Sequence, residues 1–331
     1  MPSIAPDMST IRSSNNRSPS ESIVHVAVAV IRNENNEILI QQRAANTHQG
    51  GLWEFPGGKL EEGETVEQGL IREIKEELDI QVLLSRPLIK IQHDYGDRHV
   101  LLDVHFIEQW QGQVIANESQ PLKWVAPEAL INYSMPAADK PIVSAIQLPS
   151  HYVITPSKIE QPEAVLNRLE QLLNQEEKLF LYRVKSLQGM THEELIQEFL
   201  ERCDNFGAKL ILHEQNKVNL PVHGIHLTES GLAQATDFDA SKGLISASCH
   251  SLESLLKAQT IGASFAMLSP VMETQSHPGE PALGWQAFEE IVDRVNIPVY
   301  ALGGMSPGHI KDSYKFGAQG IAAISHFWKD L

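Results

Sequence analysis

The segment GGKLEEGETVEQGLIREIKEELDI, Gly57 to Ile80, carries eight carboxylates (seven Glu and Asp79) against only Lys59, Arg72 and Lys75. Like charge at that density repels itself, so the folded state needs a counter-charge, and a bound cation is the obvious one. Thr65 reads as a helix N-cap with Gln68 three residues on, the pattern of a capping box. Leu70, Ile71, Ile74 and Leu78 then supply an apolar stripe. On a 3.6-residue helix Glu73, Glu76 and Glu77 project within an arc of roughly 100° beside that stripe. One helix face therefore packs on a core while its neighbour offers three carboxylates at one point. Such a cluster suits a hard divalent cation, and Mg²⁺ commonly joins a few carboxylates to substrate phosphates. Gly57, Gly58 and Gly63 let the preceding loop turn tightly and approach that face. Glu64 is then brought back toward the cation, and Arg72 can pair with one of the acids. A solvated, salt-bridged helix face is the alternative reading of the helix alone.

Working outward, VHVAVAVIRNENNEILIQQR reads as strands over 24–31 and 38–42 joined by a turn at 33–36. A Gly-rich loop, AANTHQGGLWEFPGG, leads into the acidic helix. VLLDVHFIEQW and LKWVA read as further strands, and a helix over 140–148 closes the unit. The mix of antiparallel strands and few helices reads as an α+β unit, a mixed sheet with flanking helices. After residue 150 the pattern changes to strand-like runs alternating with helix-like ones. The runs are YVIT, LFLYRV, KLILHE, GIHL, LISASCH, FAMLSPV, VYALGG and GIAAISHF. Amphipathic stretches at 162–176, 192–206, 251–262, 285–295 and 307–316 lie between them. Eight evenly spaced strands favour a small (β/α)₈ barrel, with an open doubly wound sheet as the competing arrangement.

The 331 residues, 42% of them hydrophobic, suit about two globular domains. A net charge of −16 argues against non-specific binding to nucleic acid or to an anionic membrane. Cys203 and Cys249 make neither a disulfide framework nor a zinc site. Residues 1–22 are polar, lack an apolar core and are expected to be a disordered tail rather than a signal peptide. No apolar run approaches the roughly 20 residues of a membrane span. The expected location is the cytoplasm.

The spacing Gly58, five residues, Glu64, seven residues, then REIKEELDI resembles the Nudix box, with Asp79 standing where the box has Gly. Asp tolerates the left-handed conformation that a helix C-terminus needs. Residues 23–149 resemble Nudix hydrolases of the MutT type, which convert 8-oxo-dGTP to its monophosphate and pyrophosphate and so protect replication from mutation. WEFPGGK and IRNENNEILIQQRAA carry that likeness. It implies that Glu73, Glu76 and Glu77 hold Mg²⁺, or Mn²⁺ in its place, with the Gly57 carbonyl and Glu118 as further ligands. Phosphate chemistry makes Glu73 the first choice of base, with Glu76 or Glu77 as ligands, though sequence does not divide these roles among neighbours, and Glu64 belongs to the same catalytic set. The resemblance implies that Arg43 reaches the phosphates of a nucleoside triphosphate. Phe55 and Arg98 fall at the base pocket. Asp139 stands where the family has an Asn that reads the purine edge; a protonated Asp donates and accepts there if burial raises its pKa.

Residues 150–331 resemble thiamine phosphate synthase and the TenI-type thiazole tautomerase. GIHLTESGL, SPVMETQSHPGEPALGW, IPVYALGGMSP and GIAAIS carry this likeness at strand ends. It implies a phosphate cradle at Gly303, Gly304 and Ser325, with Arg183 and Lys185 of LYRVK as further anion partners. The synthase pattern is broken elsewhere. Its metal site appears as LHEQ, with His213 and Glu214; its second metal Asp is Gly231; its active-site Lys is His277. Those losses predict no synthase activity. His250 of SASCHS falls where the tautomerase branch carries a His, and implies proton shuttling on a thiazole or other small phosphate ligand. The whole reads as a pyrophosphohydrolase fused to a barrel. The alternative is a Nudix domain acting on a thiamine-related diphosphate beside a barrel that only binds its ligand.

Overall fold

A computed structural model describes residues 23–47, 49–216, 218–236, 243–274 and 281–329. The expected N-terminal tail and His277 lie outside the described residues. The first half comprises β1 (Val24–Ile31), β2 (Ile38–Gln42), β3 (Trp53–Glu54) and β4 (Gly57–Lys59), then α1 (Val66–Leu78). It continues with β5 (Gln81–Asp94), β6 (His99–Gln111), β7 (Leu122–Val125) and α2 (Lys140–Gln147). Two sheets form, ordered β4-β1-β6-β5 and β3-β2-β7. The central pair β1 and β6 is parallel, from Val24 beside Val100 to Ile31 beside Ile107. The sheet is mixed, as expected: β4 and β5 run antiparallel to their neighbours, and the connection through α1 is long enough to bring β6 back in the direction of β1.

Strand β1 is buried on both faces, and its alternation divides the two cores. Ala27, Ala29 and Ile31 face Leu70, Ile74 and Leu78 of α1. Val28 and Val30 face Phe55, Ile91, Val104 and Ile142. The capping box of Thr65 and Gln68 forms as the sequence implies, and Asp79 ends the helix in the left-handed conformation, φ 56°. Ile71 leaves the expected stripe, being 39% exposed; at 100° per residue it turns away from the line through 70, 74 and 78. Strand β5 escaped the sequence reading because Pro87 and register shifts between Val82 and Ile89 break its alternation.

The second half begins with β8 (His151–Ile154), β9 (Lys158–Ile159), α3 (Pro162–Asn174), β10 (Leu179–Tyr182), β11 (Ser186–Leu187) and α4 (His192–Asn205). β12 (Lys209–His213), β13 (Gly224–Leu227), α5 (Glu229–Gln234), β14 (Leu244–Cys249) and α6 (Leu252–Thr260) follow. β15 (Phe265–Leu268), α7 (Gly284–Val292), β16 (Val299–Leu302), α8 (Ile310–Lys315) and β17 (Gly320–Ala323) complete it. The eight runs anticipated from sequence close into a parallel barrel, β17 returning to β8 with Ile321 beside His151. Three aromatic side chains, Tyr152, Phe265 and Tyr300, fill the interior with ring centroids 5.2–5.7 Å apart. These large rings reach inward from β8, β15 and β16 and fill much of the space inside a short-stranded barrel. No helix among the described residues is long and apolar enough to cross a membrane.

The barrel covers the open edge of the first sheet. Asn296 pairs with β5 as another strand would: its Oδ1 accepts from the Gln92 N–H at 2.9 Å and its Nδ2 donates to the Gln92 carbonyl at 2.8 Å. Lys90 Nζ lies 2.6 Å from Asp293 Oδ2, and the Arg86 guanidinium stacks 3.9 Å from the Tyr314 ring centroid. The Gln319 amide donates to the carbonyls of Ala145 and Leu148, tying β17 to the end of α2. An unpaired edge strand invites association with other chains, so this covering protects the sheet. Asn296→Ala is expected to speed hydrogen exchange at the Gln92 amide roughly 5- to 10-fold, the worth of one hydrogen bond. Exchange mass spectrometry across β5 checks this, and an unchanged rate at Gln92 would show that Asn296 does not protect the edge.

Candidate functional site

The acidic face of α1 meets the glycine loop at contact distance. The Gly57 N–H donates to Glu77 Oε2 at 3.0 Å. A Cβ on Gly58 would lie 2.2 Å from the Glu73 carboxyl carbon, and one on Gly57 would lie 2.2 Å from the Ala27 carbonyl. The loop therefore reaches the carboxylates only because these positions lack side chains.

Arg72 gathers the acids. Its Nε and Nη2 bind Glu64 at 2.7 and 2.8 Å, Nη1 binds Glu73 at 2.9 Å and lies 3.4 Å from Glu76, and Nη2 also donates to the Lys59 carbonyl. Glu64 is the acid that Arg72 grips on both oxygens, a two-pronged charged contact. Arg72 and the Glu61 N–H hold the Glu64 carboxyl down to about 2. Glu77 sits deeper, taking Gln41 Nε2 at 3.2 Å on both oxygens. Burial pushes its pKa up to about 7, against the pull of the Gln41 and Gly57 donors.

Among the described residues no three or more His, Cys, Asp or Glu are gathered closely enough to hold a metal ion. Arg72 draws Glu73 and Glu76 to one side, and Gln41 draws Glu77 to the other. The donor chemistry nevertheless fits a hard divalent cation: carboxylates beside the Gly57 backbone, with the Glu77 charge desolvated and short of a positive partner. Glu118 is exposed, takes a hydrogen bond from Gln120 at 2.8 Å, and lines a small neighbouring cavity with Arg43.

A cavity of about 320 Å³ opens beside the glycine loop. Gly57 and Gly58 form one wall, and Arg43, Phe55, Arg98 and Asp139 line the rest with Glu54 and Tyr95. Thus the fold brings together the expected loop and base-pocket residues. Arg43 is ion-paired with Glu54, and Arg98 with its neighbour Asp97. Phe55, 3% exposed, is at once a core residue and a cavity wall. Asp139 is 6% exposed, and its Oδ2 has no hydrogen-bond partner. Burial, then the Glu54 charge, push its pKa up to about 8, opposed by Arg43. Glu54 and Tyr95 were missed in sequence because their roles arise from position across the sheet, not from spacing.

The barrel mouth holds the remaining candidates, dispersed. His250 Nδ1 lies 2.8 Å from the Ser269 carbonyl; a carbonyl only accepts, so Nδ1 carries the proton and Nε2 is left as a base. Arg183 and Lys185 share a cavity of about 360 Å³ with His192 and His213. That lining does not include Gly303, Gly304, Ser325 or His250. The Gly303–Gly304 turn packs on the 270–273 loop, where a Cβ would strike Pro270 at 2.9 Å or the Glu273 carbonyl at 2.8 Å. Ser325 is exposed in the turn after β17. Inside the barrel, the fully buried His226 contacts Ser246 Oγ through Nδ1 and Ser248 Oγ through Nε2, each at 2.8 Å, and Tyr152 reaches Ser246 at 3.3 Å. Burial lowers the His226 pKa to about 3, so the ring is neutral. The alternation in LISASC, which turns Ser246 and Ser248 inward together, was the available sequence signal.

Family comparison agrees with both halves. The NUDIX domain model matches residues 27–145, and the thiamine monophosphate synthase model matches residues 151–327. The chain belongs to the Nudix family through its first half and to the thiamine monophosphate synthase family through its barrel, and the first half is a pyrophosphohydrolase. It is 39% identical over 124 residues to 8-oxo-dGTP diphosphatase of Escherichia coli (strain K12), covering 38% of this chain and 96% of that protein. It is 36% identical over 185 residues to putative thiamine-phosphate synthase 2 of Aquifex aeolicus (strain VF5), covering 55% and 99%. Over 123 residues it is 36% identical to CTP pyrophosphohydrolase of Escherichia coli (strain K12), covering 37% and 90%. Nudix hydrolases use divalent metal ions.

Asp139 gives a pH-dependent prediction. The folded pKa, about 8, lies above the ordinary 3.8. Between those values the unfolded chain releases the proton while the folded one keeps it, so stability falls as pH rises through the window. Asp139→Asn removes the penalty. Its gain over the parent should be near zero at pH 4 and reach roughly 2–4 kcal/mol above pH 8. Thermal melts of both proteins from pH 4 to 9 measure it, and a gain independent of pH would mean that Asp139 is ionised in the fold.

Proposed function

We propose that the first half hydrolyses 8-oxo-dGTP, and related nucleoside triphosphates, to the monophosphate and pyrophosphate, and so serves nucleotide-pool sanitation in the cytoplasm. One observation carries this reading: the cavity that holds Asp139 is continuous with the Gly57–Gly58 loop resting on Glu73 and Glu77. A base in the cavity would lie beside the acids that act on its phosphates. Protonated Asp139 offers an O–H to a keto oxygen of the purine, as an Asn amide would, while its second oxygen accepts. Phe55 and Arg98 border the base, and Arg43 faces the phosphates.

Glu76, Glu77 and the Gly57 carbonyl are the proposed holders of Mg²⁺, with Glu118 completing the set from the adjoining loop. A divalent ion there supplies neutralisation of the triphosphate and a lowered pKa for water. Glu73 takes the proton of the attacking water, with Arg72 and Glu64 fixing its rotamer. Glu73→Gln is expected to keep the fold and lower kcat by about 10²- to 10⁴-fold. Pyrophosphate release from 8-oxo-dGTP, dGTP, CTP and thiamine diphosphate tests both the base and the substrate. Equal rates in parent and variant at saturating Mg²⁺ would remove Glu73 from the mechanism, and a preference for thiamine diphosphate would replace the substrate.

For the barrel we propose binding of a small phosphorylated ligand, with Arg183 and Lys185 as anion partners, and no synthase activity. His250, its Nε2 left basic by the Ser269 contact, is placed to move a proton. His250→Asn should abolish any thiazole tautomerase turnover while leaving binding of thiazole phosphate within about twofold, because an amide keeps the Ser269 contact but does not titrate. Turnover that survives the change would exclude His250 as the base.

A further inference from the structure

The cavity at the ends of β10 and β12 is lined by Arg183, Lys185, His192 and His213, with Gln215 and Asn216 closing it. None of its lining residues is acidic. No ion pair among the described residues takes up Arg183 or Lys185. In a chain of net charge −16 that is an isolated positive concavity, and concave walls of low dielectric focus such a field on small anions.

The neighbouring acid has been drawn off. Glu214 follows His213 directly, yet its carboxylate accepts from the Thr228 N–H at 3.0 Å and from the Thr228 hydroxyl. It lies over Gly231 so closely that a Cβ there would come within 2.0 Å of Oε2. Glu214 thereby becomes the anion at the start of α5 instead of a ligand at the mouth. A divalent cation entering this cavity would meet two like charges and no carboxylate; an oxyanion would meet two cations and two imidazoles. His192 is oriented for this, its Nδ1 held 2.9 Å from the Tyr182 hydroxyl.

We propose that this cavity binds a phosphate or pyrophosphate group without any divalent cation, Arg183 and Lys185 balancing its charge and His213 and His192 donating hydrogen bonds. The inference rests on the reading of Arg183 and Lys185 given above and adds metal independence and the two histidines. Burial and the charges of Arg183 and Lys185 depress the His213 pKa, with Glu214 acting in the opposite sense; a dianion seated between them must raise it. The same chemistry would hold a free inorganic anion, such as the pyrophosphate released by the first half, or the phosphate of an organic ester.

The test uses the full chain in chelator-treated buffer with inorganic phosphate, pyrophosphate and thiazole phosphate. Calorimetry should show binding without Mg²⁺, weakened about tenfold by Arg183→Gln and again by the exposed Lys185→Gln. The His213 imidazole signal should titrate at higher pH when the anion is present. Tighter binding of pyrophosphate assigns the cavity to a free anion; tighter binding of thiazole phosphate assigns it to an ester. Binding that needs Mg²⁺ but still depends on Arg183 overturns the metal-free site and leaves the anion partners standing. Binding that ignores both substitutions, or no binding at all, overturns both.

Discussion

The guanidinium of Arg72 is the positive charge around which three of the eight carboxylates between Gly57 and Ile80 gather. It spans Glu64 and Glu73, reaches Glu76, and ties the helix back to the Lys59 carbonyl in the loop before it. That bridge offsets the repulsion between loop and helix where the Gly57 and Gly58 backbone lies against Glu77 and Glu73. The hydrogen bonds to Glu64 and Glu73 in turn raise the Arg72 pKa, so the charge that organises the cluster is never lost by titration. The same contact that stabilises the fold holds the acids apart from a metal-binding arrangement, and a cation must compete with Arg72 for Glu73 and Glu76.

Half-buried Glu77 and buried Asp139 show how environment divides identical chemistry. Glu77 is desolvated but receives donors from Gln41 and Gly57. Asp139 is desolvated more fully, has an oxygen with no partner, and faces the repulsion of Glu54. The first suits a site of metal and phosphate, the second a neutral hydrogen-bonding group able to read a base edge. Glu64, in the loop before the helix, lies at the other extreme because Arg72 grips both of its oxygens.

The barrel repeats the theme with opposite sign. Its interior is apolar and aromatic at one level and carries the Tyr152–Ser246–His226–Ser248 chain nearer the mouth. At the mouth, moving one carboxylate, Glu214, onto Thr228 turns what would have been a mixed site into a cationic one. The two halves are joined through β5, where Asn296, Asp293 and Tyr314 cover a sheet edge that would otherwise be exposed.

Local pattern was enough for the elements and the acidic motif. The capping box, the apolar line Leu70–Ile74–Leu78, the left-handed Asp79 and all eight barrel strands follow from interactions within a few residues, which periodicity records. The clustering of Glu73, Glu76 and Glu77 on one helix face was legible for the same reason. What the acids contact was not. That Arg72 would grip Glu64, that Gln41 would hold Glu77, and that Glu214 would turn to Thr228 depend on partners up to 36 residues away. Strand β5 was likewise hidden, because bulges and Pro87 erase its alternation while long-range pairing with β6 restores the sheet. Spacing encodes which side chains share a face; only closure of the sheet and barrel decides which charges meet, since that depends on distances between segments remote in the chain.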